Sequence, residues 1–217
     1  MGSVVLLSGG MDSSACAVLA SRTGDPVRAM LVDYGQPHRD QELGRAQALA
    51  MRLGMDWHIA PISSAFGALR PRDMVASPTV VGRNAILLAL AASHGAAWFP
   101  GDLSIWIGAC ADDATAFPDC RRPFLDAMGA AMSSALGRLV RVVAPFLDST
   151  KREMVATADG PTLEAMRRSW SCYRGNVTPC AECVPCRLRY DAFLTAGVPD
   201  LVEPLYLTGG DPHREPK

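Results

Sequence analysis

Four short runs of consecutive apolar residues punctuate the chain, at 3–7, 26–33, 103–107 and 139–143, with a weaker candidate at 56–59. Consecutive apolar residues without alternation mark a strand covered on both faces. Between these runs, apolar residues recur at helical spacing. Leu43, Ala46, Leu49 and Ala50 are one example, and helices are expected over 12–21, 39–53, 84–94, 123–136 and 150–158. The segment 61–81 carries proline and serine without a clear period and reads as a loop or lid. Strands alternating with helices predict an α/β fold: a parallel five-stranded sheet with helices on both faces. Ligands of such sheets sit at the carboxyl ends of the strands. The loops to watch are therefore 8–14, 34–38, 108–121 and 145–151. With no internal repeat or linker, the expectation is one domain over 1–217, including a cysteine-rich segment at 170–190.

Composition narrows the class. At 217 residues, 49% apolar and 20% charged, the chain can bury a core and is neither fibrous nor disordered. No apolar run approaches the roughly 20 residues of a membrane-spanning helix. The start of the sequence lacks the basic stretch and long apolar segment of a signal peptide, so a cytoplasmic protein is expected. Acids number 22 and bases 21, which argues against nonspecific nucleic-acid binding. The only lysines are Lys151 and Lys217, so Lys151 is the one lysine inside the expected fold. Seven cysteines without an export signal suggest metal binding or catalysis before disulfides.

Two motifs carry chemistry. Ser8-Gly9-Gly10-Met11-Asp12-Ser13-Ser14 joins the first strand to the first helix. Glycines let backbone approach a phosphate, and a helix start offers unpaired N–H groups and the positive dipole end. Asp12 is placed to help hold Mg²⁺. The loop is neither a Walker loop nor a dinucleotide fingerprint. It resembles the SGGxDS loop of N-type ATP pyrophosphatases, which split ATP to AMP and pyrophosphate. The second motif is Cys172, Cys180, Cys183 and Cys186, four thiolates within fifteen residues. Such a set suits a closed tetrahedral Zn²⁺ knuckle of structural role, and an iron–sulfur cluster uses similar ligands.

The two motifs in this order resemble the 7-cyano-7-deazaguanine synthase family. Asp33-Tyr34-Gly35-Gln36-Pro37-His38 matches its D/N-Y-G-Q-x-H segment, and Gly82-Arg83-Asn84 its P-G-R-N helix start. Pro118-Asp119-Cys120-Arg121 matches P-D-C-R, Pro145 through Lys151 and Glu153 matches P-x5-K-x-E, and Ser171-Cys172-Tyr173 with Gly175 matches T-C-Y-x-G. The likeness implies the PP-loop, adenine-nucleotide alpha-hydrolase-like fold. It implies conversion of 7-carboxy-7-deazaguanine, ATP and ammonia to the nitrile, through an adenylated carboxylate and an amide. A homodimer is implied as well, while the absence of membrane and nucleic-acid partners is expected from the apolar run lengths and charge balance above. ATP is then assigned to Ser8, Gly9, Gly10, Asp12, Ser13, Ser14, Asp33 and Tyr34. Lys151, Arg83 and Asp12 are assigned to catalysis, the two cations neutralising phosphate charge. Gln36, His38, Arg83, Asn84, Asp119 and Arg121 are assigned to the deazaguanine. Among these, Asp119 would grip its amide and amino edge and Arg121 would meet its carboxylate.

Plainer roles compete. Lys151 can pair with Glu153 or Asp148 on a helix surface. Arg83-Asn84 can cap a helix, Asp119 can cap the helix that follows it, and His38 can be a structural hydrogen-bonder. Cys110 and Cys120 are expected to be packed and not nucleophilic. The chain also departs from the family pattern. The Ser-Gly pair expected before the aromatic and P-D-C-R is missing from 113–118, Val81 replaces a proline, and 61–81 looks short. These departures leave open a variant that stops at the amide, or that joins the activated deazaguanine to another amine such as a protein in anti-phage defence. A nucleotide sensor and a tRNA thiolase are the remaining classes; the intact phosphate loop and Lys151 argue against the first, the charge balance against the second.

Overall fold

The computed structural model describes residues 1–66, 80 and 82–202. Five strands form one sheet: β1 (Gly2–Leu6), β2 (Val27–Asp33), β3 (Asp56–Pro61), β4 (Leu103–Ile107) and β5 (Val140–Val143). All pairings are parallel, in the order β3-β2-β1-β4-β5. Successive side chains of a strand point to opposite faces, and β1 shows why its run is unbroken. Val4 and Leu6 pack with Leu88, Ala91 and Ala92 of α4 (Arg83–Trp98) and Leu125 and Met132 of α6 (Arg122–Leu136). Val5 and Leu7 face the other way, toward Ala17 and Val18 of α1 (Met11–Ser21) and Leu43, Ala46 and Leu49 of α2 (Arg39–Arg52). The expected layered α/β sheet is therefore present. Connections run outward from β1 on one side and from β4 on the other, so the strand order reverses between them and opens a crevice at their carboxyl ends.

Boundaries agree with the expected elements within a few residues. The expected helix ending at 94 continues to Trp98 through Gly95, where an added Cβ would lie 2.9 Å from Val4 Cγ2; glycine lets the helix lie close on the sheet. Further helices escaped the sequence reading: α3 (Ser63–Phe66), α5 (Ala111–Ala116), α8 (Gly160–Arg167) and α9 (Val184–Ala196). The first three are short. The last starts inside the cysteine segment, with Cys183 as its N-cap and Cys186 in its first turn. The remaining helix, α7 (Lys151–Thr157), falls where expected. Of the expected loop 61–81, residues 67–79 and 81 lie outside the described residues, and Val81 with them. No helix among the described residues is long and apolar enough to cross a membrane.

Behind the crevice, α9 carries Arg189, 1% exposed. Its guanidinium donates to both carboxylate oxygens of Asp200, at 2.7 and 2.8 Å. It also donates to the Met166, Arg167 and Ser169 carbonyls and to Ser169 Oγ. This clamp fixes the end of α8, the 169–171 segment and the chain after α9 against one another. Asp200→Ala leaves a buried guanidinium without its counter-ion, and breaking such a pair costs about 3–5 kcal/mol. Thermal melting of that variant is expected to show a clear fall in Tm; an unmoved Tm would contradict the clamp.

Candidate functional site

The 8–13 loop is shaped by its own hydroxyls. Gly10 N–H donates to Ser8 Oγ (3.2 Å), the Ser8 and Ser13 hydroxyls bond each other (2.9 Å), and Ser13 Oγ donates to Gly10 O (3.1 Å). Ser14, buried in the first turn of α1, donates its N–H to Gly10 O at 3.0 Å. Gly9 has φ +83°, and a Cβ there would meet the Glu42 carbonyl oxygen of α2 at 2.3 Å. Only glycine lets the loop turn this close to α2. Gly10 caps α1 with no side-chain hydrogen bond, so the first-turn N–H groups stay available for an anion.

Three loops meet beside it. Lys151 Nζ lies 2.7 Å from Asp12 Oδ2, 3.0 Å from Cys110 Sγ and 3.4 Å from Asp113 Oδ1. Asp12 follows β1, Cys110 and Asp113 follow β4, and Lys151 follows β5, so the strand order converges these residues at the crevice. The local sequence aims the lysine. Thr150 and Glu153 form a reciprocal capping box that starts α7 at Lys151, and Lys151 N–H donates to Asp112 Oδ2 at 2.7 Å. The surface pairings that competed for Lys151 are absent: Glu153 is used in the cap and Asp148 pairs with Arg122.

Burial disfavours the Lys151 ammonium, but Asp12 and Asp113 outweigh it and hold its pKa above the ordinary lysine range. Burial also raises the Asp12 carboxyl, opposed by Lys151 and aided by Asp113. Cys110 is pushed up to about 12 by burial and by Asp12. It is a thiol at neutral pH and lacks the depressed pKa of a nucleophile. Cys120 reaches about 12 for the same first reason, burial.

A second network lies beyond. Glu42 accepts from Gln36 Nε2 at 2.9 Å and pairs with His38 Nε2 at 3.4 Å. His38 Nδ1 donates to the Tyr173 carbonyl at 3.1 Å, and the two rings stack at 5.2 Å. Burial opposes the His38 charge, but Glu42 prevails and its pKa rises. Asp33 is tied by Arg39 Nε (2.6 Å) and by Gly35 N–H (3.0 Å). Tyr34 N–H donates to Gln36 Oε1, and Arg83 Nη1 to the Tyr34 hydroxyl at 3.4 Å. Asp119 Oδ2 accepts Asn84 N–H at 3.2 Å, so it caps α4 and not the helix that follows it. Arg121 is exposed, its Nε donating to Ala114 O at 2.8 Å and its Nη2 to Thr115 O at 3.5 Å. Tyr173 is pushed up to about 12 by burial against the lowering field of Arg83, and Asp113 adds to the rise. The two networks meet at the loop after β4: Cys110 and Asp113 in it hold Lys151, and Asn84 Nδ2 donates to its Asp119 carbonyl and Cys120 Sγ, each at 3.3 Å.

The ligand atoms of Cys172, Cys180, Cys183 and Cys186 all lie within 4.8 Å of one another. Zn–S bonds of about 2.3 Å in a tetrahedron need sulfur separations of about 3.8 Å, so the set can close on one ion. Backbone N–H groups already point at it, Cys180 N to Cys172 Sγ at 3.3 Å and Cys183 N to Cys180 Sγ at 3.4 Å. The segment leading into the knuckle braces the rest of the site. Trp170 N–H donates to Gly9 O at 2.8 Å, its indole to Cys172 O at 2.7 Å, and Gly175 packs on the Pro37 carbonyl.

The family described as "Queuosine biosynthesis protein QueC" matches residues 2–197. The chain belongs to the QueC family. It is 34% identical over 220 residues to the 7-cyano-7-deazaguanine synthase of Chromobacterium violaceum, covering 92% of each chain. To the protein of the same name from an Anaeromyxobacter species it is 37% identical, over 91% of this chain and 93% of that one. The family resemblance read from the motifs is therefore correct. In this QueC-family chain the crevice also gathers Cys110, Asp113, Glu42 and Tyr173, which were not assigned from sequence. Asp113 and Cys110 sit in a loop already marked for attention, and Tyr173 lies in the T-C-Y-x-G segment. Glu42 carried no signal, being one acid among several on an amphipathic helix.

Proposed function

We propose that the chain uses ATP to convert 7-carboxy-7-deazaguanine and ammonia to 7-cyano-7-deazaguanine. The observation that carries this reading is Lys151 held by Asp12 and Asp113 at the mouth of the 8–13 loop. The loop N–H groups and the Ser8 and Ser13 hydroxyls would take the phosphates. The acid's oxygen attacks the α-phosphorus and pyrophosphate leaves. Ammonia then displaces AMP from the acyl-adenylate to give the amide. A second ATP adenylates the amide oxygen, and loss of AMP and a proton leaves the nitrile. In both activations negative charge grows on the departing pyrophosphate, and a pre-positioned ammonium stabilises it without reorganisation. Asp12 and Asp113 hold that ammonium in place and keep it charged. Asp33 and Tyr34 are proposed on the nucleotide side, and Gln36, His38, Asn84 and Asp119 as the framework of the deazaguanine pocket.

Mg²⁺ fits beside the loop. Asp12 Oδ1 is buried without a hydrogen-bond partner among the described residues, and the Asp12 and Asp113 carboxylates are the oxygen donors such an ion takes, with the Cys110 thiol beside them no ligand for it. Bound there, the ion would neutralise phosphate charge. Zinc in the Cys172, Cys180, Cys183 and Cys186 set would be structural, since four thiolates leave no open position.

With Mg-ATP and ammonium, the protein is expected to release AMP and pyrophosphate only when 7-carboxy-7-deazaguanine is present. Release of ADP and phosphate, or AMP release indifferent to the acid, would overturn the reading.

A further inference from the structure

An acid activated in this crevice needs a cation to hold its carboxylate before ATP does. Three cations are near enough to consider. Lys151 is taken by Asp12 and Asp113. Arg121 is exposed, and its donors close the 114–115 turn through the Ala114 and Thr115 carbonyls. Arg83 differs from both. It opens α4 half-buried, and no carboxylate lies within 4 Å of it among the described residues, Glu42 acting on it from farther away. Its described hydrogen bond is the 3.4 Å contact to the Tyr34 hydroxyl.

A guanidinium keeps its charge at any accessible pH; burial opposes that charge here, but Tyr34, Tyr173 and Glu42 outweigh it. Its planar fork matches a carboxylate with two parallel bonds. The surroundings are those of a planar ring. Tyr34 and Tyr173 both lie within its field, and His38 stacks on Tyr173. Asn84, the next residue, donates to Asp119 Oδ2 at 3.2 Å and to Cys120 Sγ at 3.3 Å, which ties the start of α4 to the loop that also carries Cys110 and Asp113. An acid bound there would have its ring among the phenols and its carboxylate toward the nucleotide.

We propose that Arg83 is the receptor for the carboxylate of the planar aromatic acid this site activates, and that Arg121 braces the 114–121 loop. This rests on the function proposed above and assigns the step of that reaction in which Arg83 acts.

The two stages of the reaction give the test. The acid carries a carboxylate; the carboxamide intermediate, 7-amido-7-deazaguanine, does not. Arg83→Gln, Arg83→Lys and Arg121→Gln are compared with the unaltered protein for AMP formation from each compound, together with affinity for a non-hydrolysable ATP analogue. In Arg83→Gln, kcat/KM for the acid is expected to fall about 10- to 100-fold further than that for the amide, the loss of a charge-assisted bidentate pair. Arg83→Lys should show a smaller split in the same direction, and Arg121→Gln none. Because the amide reports on the same folded protein, a misfolded variant cannot mimic the split. Equal losses on acid and amide, or weaker binding of the ATP analogue in step with them, would make Arg83 a phosphate or scaffold residue. A selective acid loss in Arg121→Gln would move the receptor there. If the unaltered protein forms AMP from neither compound, the function itself falls; if it does and the split is missing, only the assignment of Arg83 falls.

Discussion

Lys151→Met is expected to lower AMP release by about 10²–10³-fold, the scale on which a single pre-positioned transition-state donor acts. The size follows from burial. Lys151 is 13% exposed and Asp12 15%, so little water is present to replace the missing ammonium. The same substitution leaves Asp12 and Asp113 facing each other without a cation, and breaking a buried pair costs about 3–5 kcal/mol. Tm should therefore fall with activity. Lys151→Arg separates the two effects: the charge is kept and most of the Tm with it, while a wider guanidinium cannot reproduce the 2.7 Å contact to Asp12. Quenched-flow measurement of AMP on both variants checks this. AMP release by Lys151→Met within a few-fold of the unaltered protein would contradict the role given to Lys151.

Loss of the cysteine knuckle is expected to disable nucleotide binding at a distance. Structural zinc sites contribute apparent binding energies of about 10–16 kcal/mol, so a chain without its metal keeps little order around the ligands. That order reaches the 8–13 loop by backbone contacts. Trp170 N–H holds Gly9 O, Trp170 Nε1 holds Cys172 O, and the Tyr173 carbonyl holds His38. Cys172→Ser should abolish stoichiometric metal by elemental analysis and lower Tm. It should also weaken an ATP analogue by at least about tenfold, the effect of 1.4 kcal/mol. A metal-free variant that binds the analogue as tightly as the unaltered protein would show that the knuckle and the loop are independent.

The legible parts of the fold were those with unbroken local signals. The β1 run is apolar on both faces because it is the central strand, and glycine and serine at 8–14 mark the turn after it. The cysteine spacing identified its own cluster. Helices α5 and α8 were hidden by their length, six and eight residues, too short to show a period. In α9 the apolar positions spread around the helix, since it serves the knuckle on one side and Phe193 packs with Met154 and Met166 on another. Arg189 was illegible for a different reason: nothing local separates a fully buried arginine from a solvated one, and its partner Asp200 lies beyond the end of its helix. The site shows the same division. Lys151 was singled out by being nearly alone in its residue type, whereas its partners Asp12 and Asp113 are 139 and 38 residues away and meet it only through the strand order. Asp119 was assigned to the deazaguanine edge, with a cap on the nearer helix as the plainer alternative; it caps the more distant α4 instead of that helix, a choice set by tertiary packing.

Mass spectrometry of a reaction of the metal-loaded protein with 7-carboxy-7-deazaguanine, Mg-ATP and ammonium tests the central claim most directly. The account predicts the nitrile, with two AMP formed for each, and a transient amide that is consumed. An amide that accumulates without nitrile, or AMP that appears only when another amine or a partner protein replaces ammonium, would contradict it.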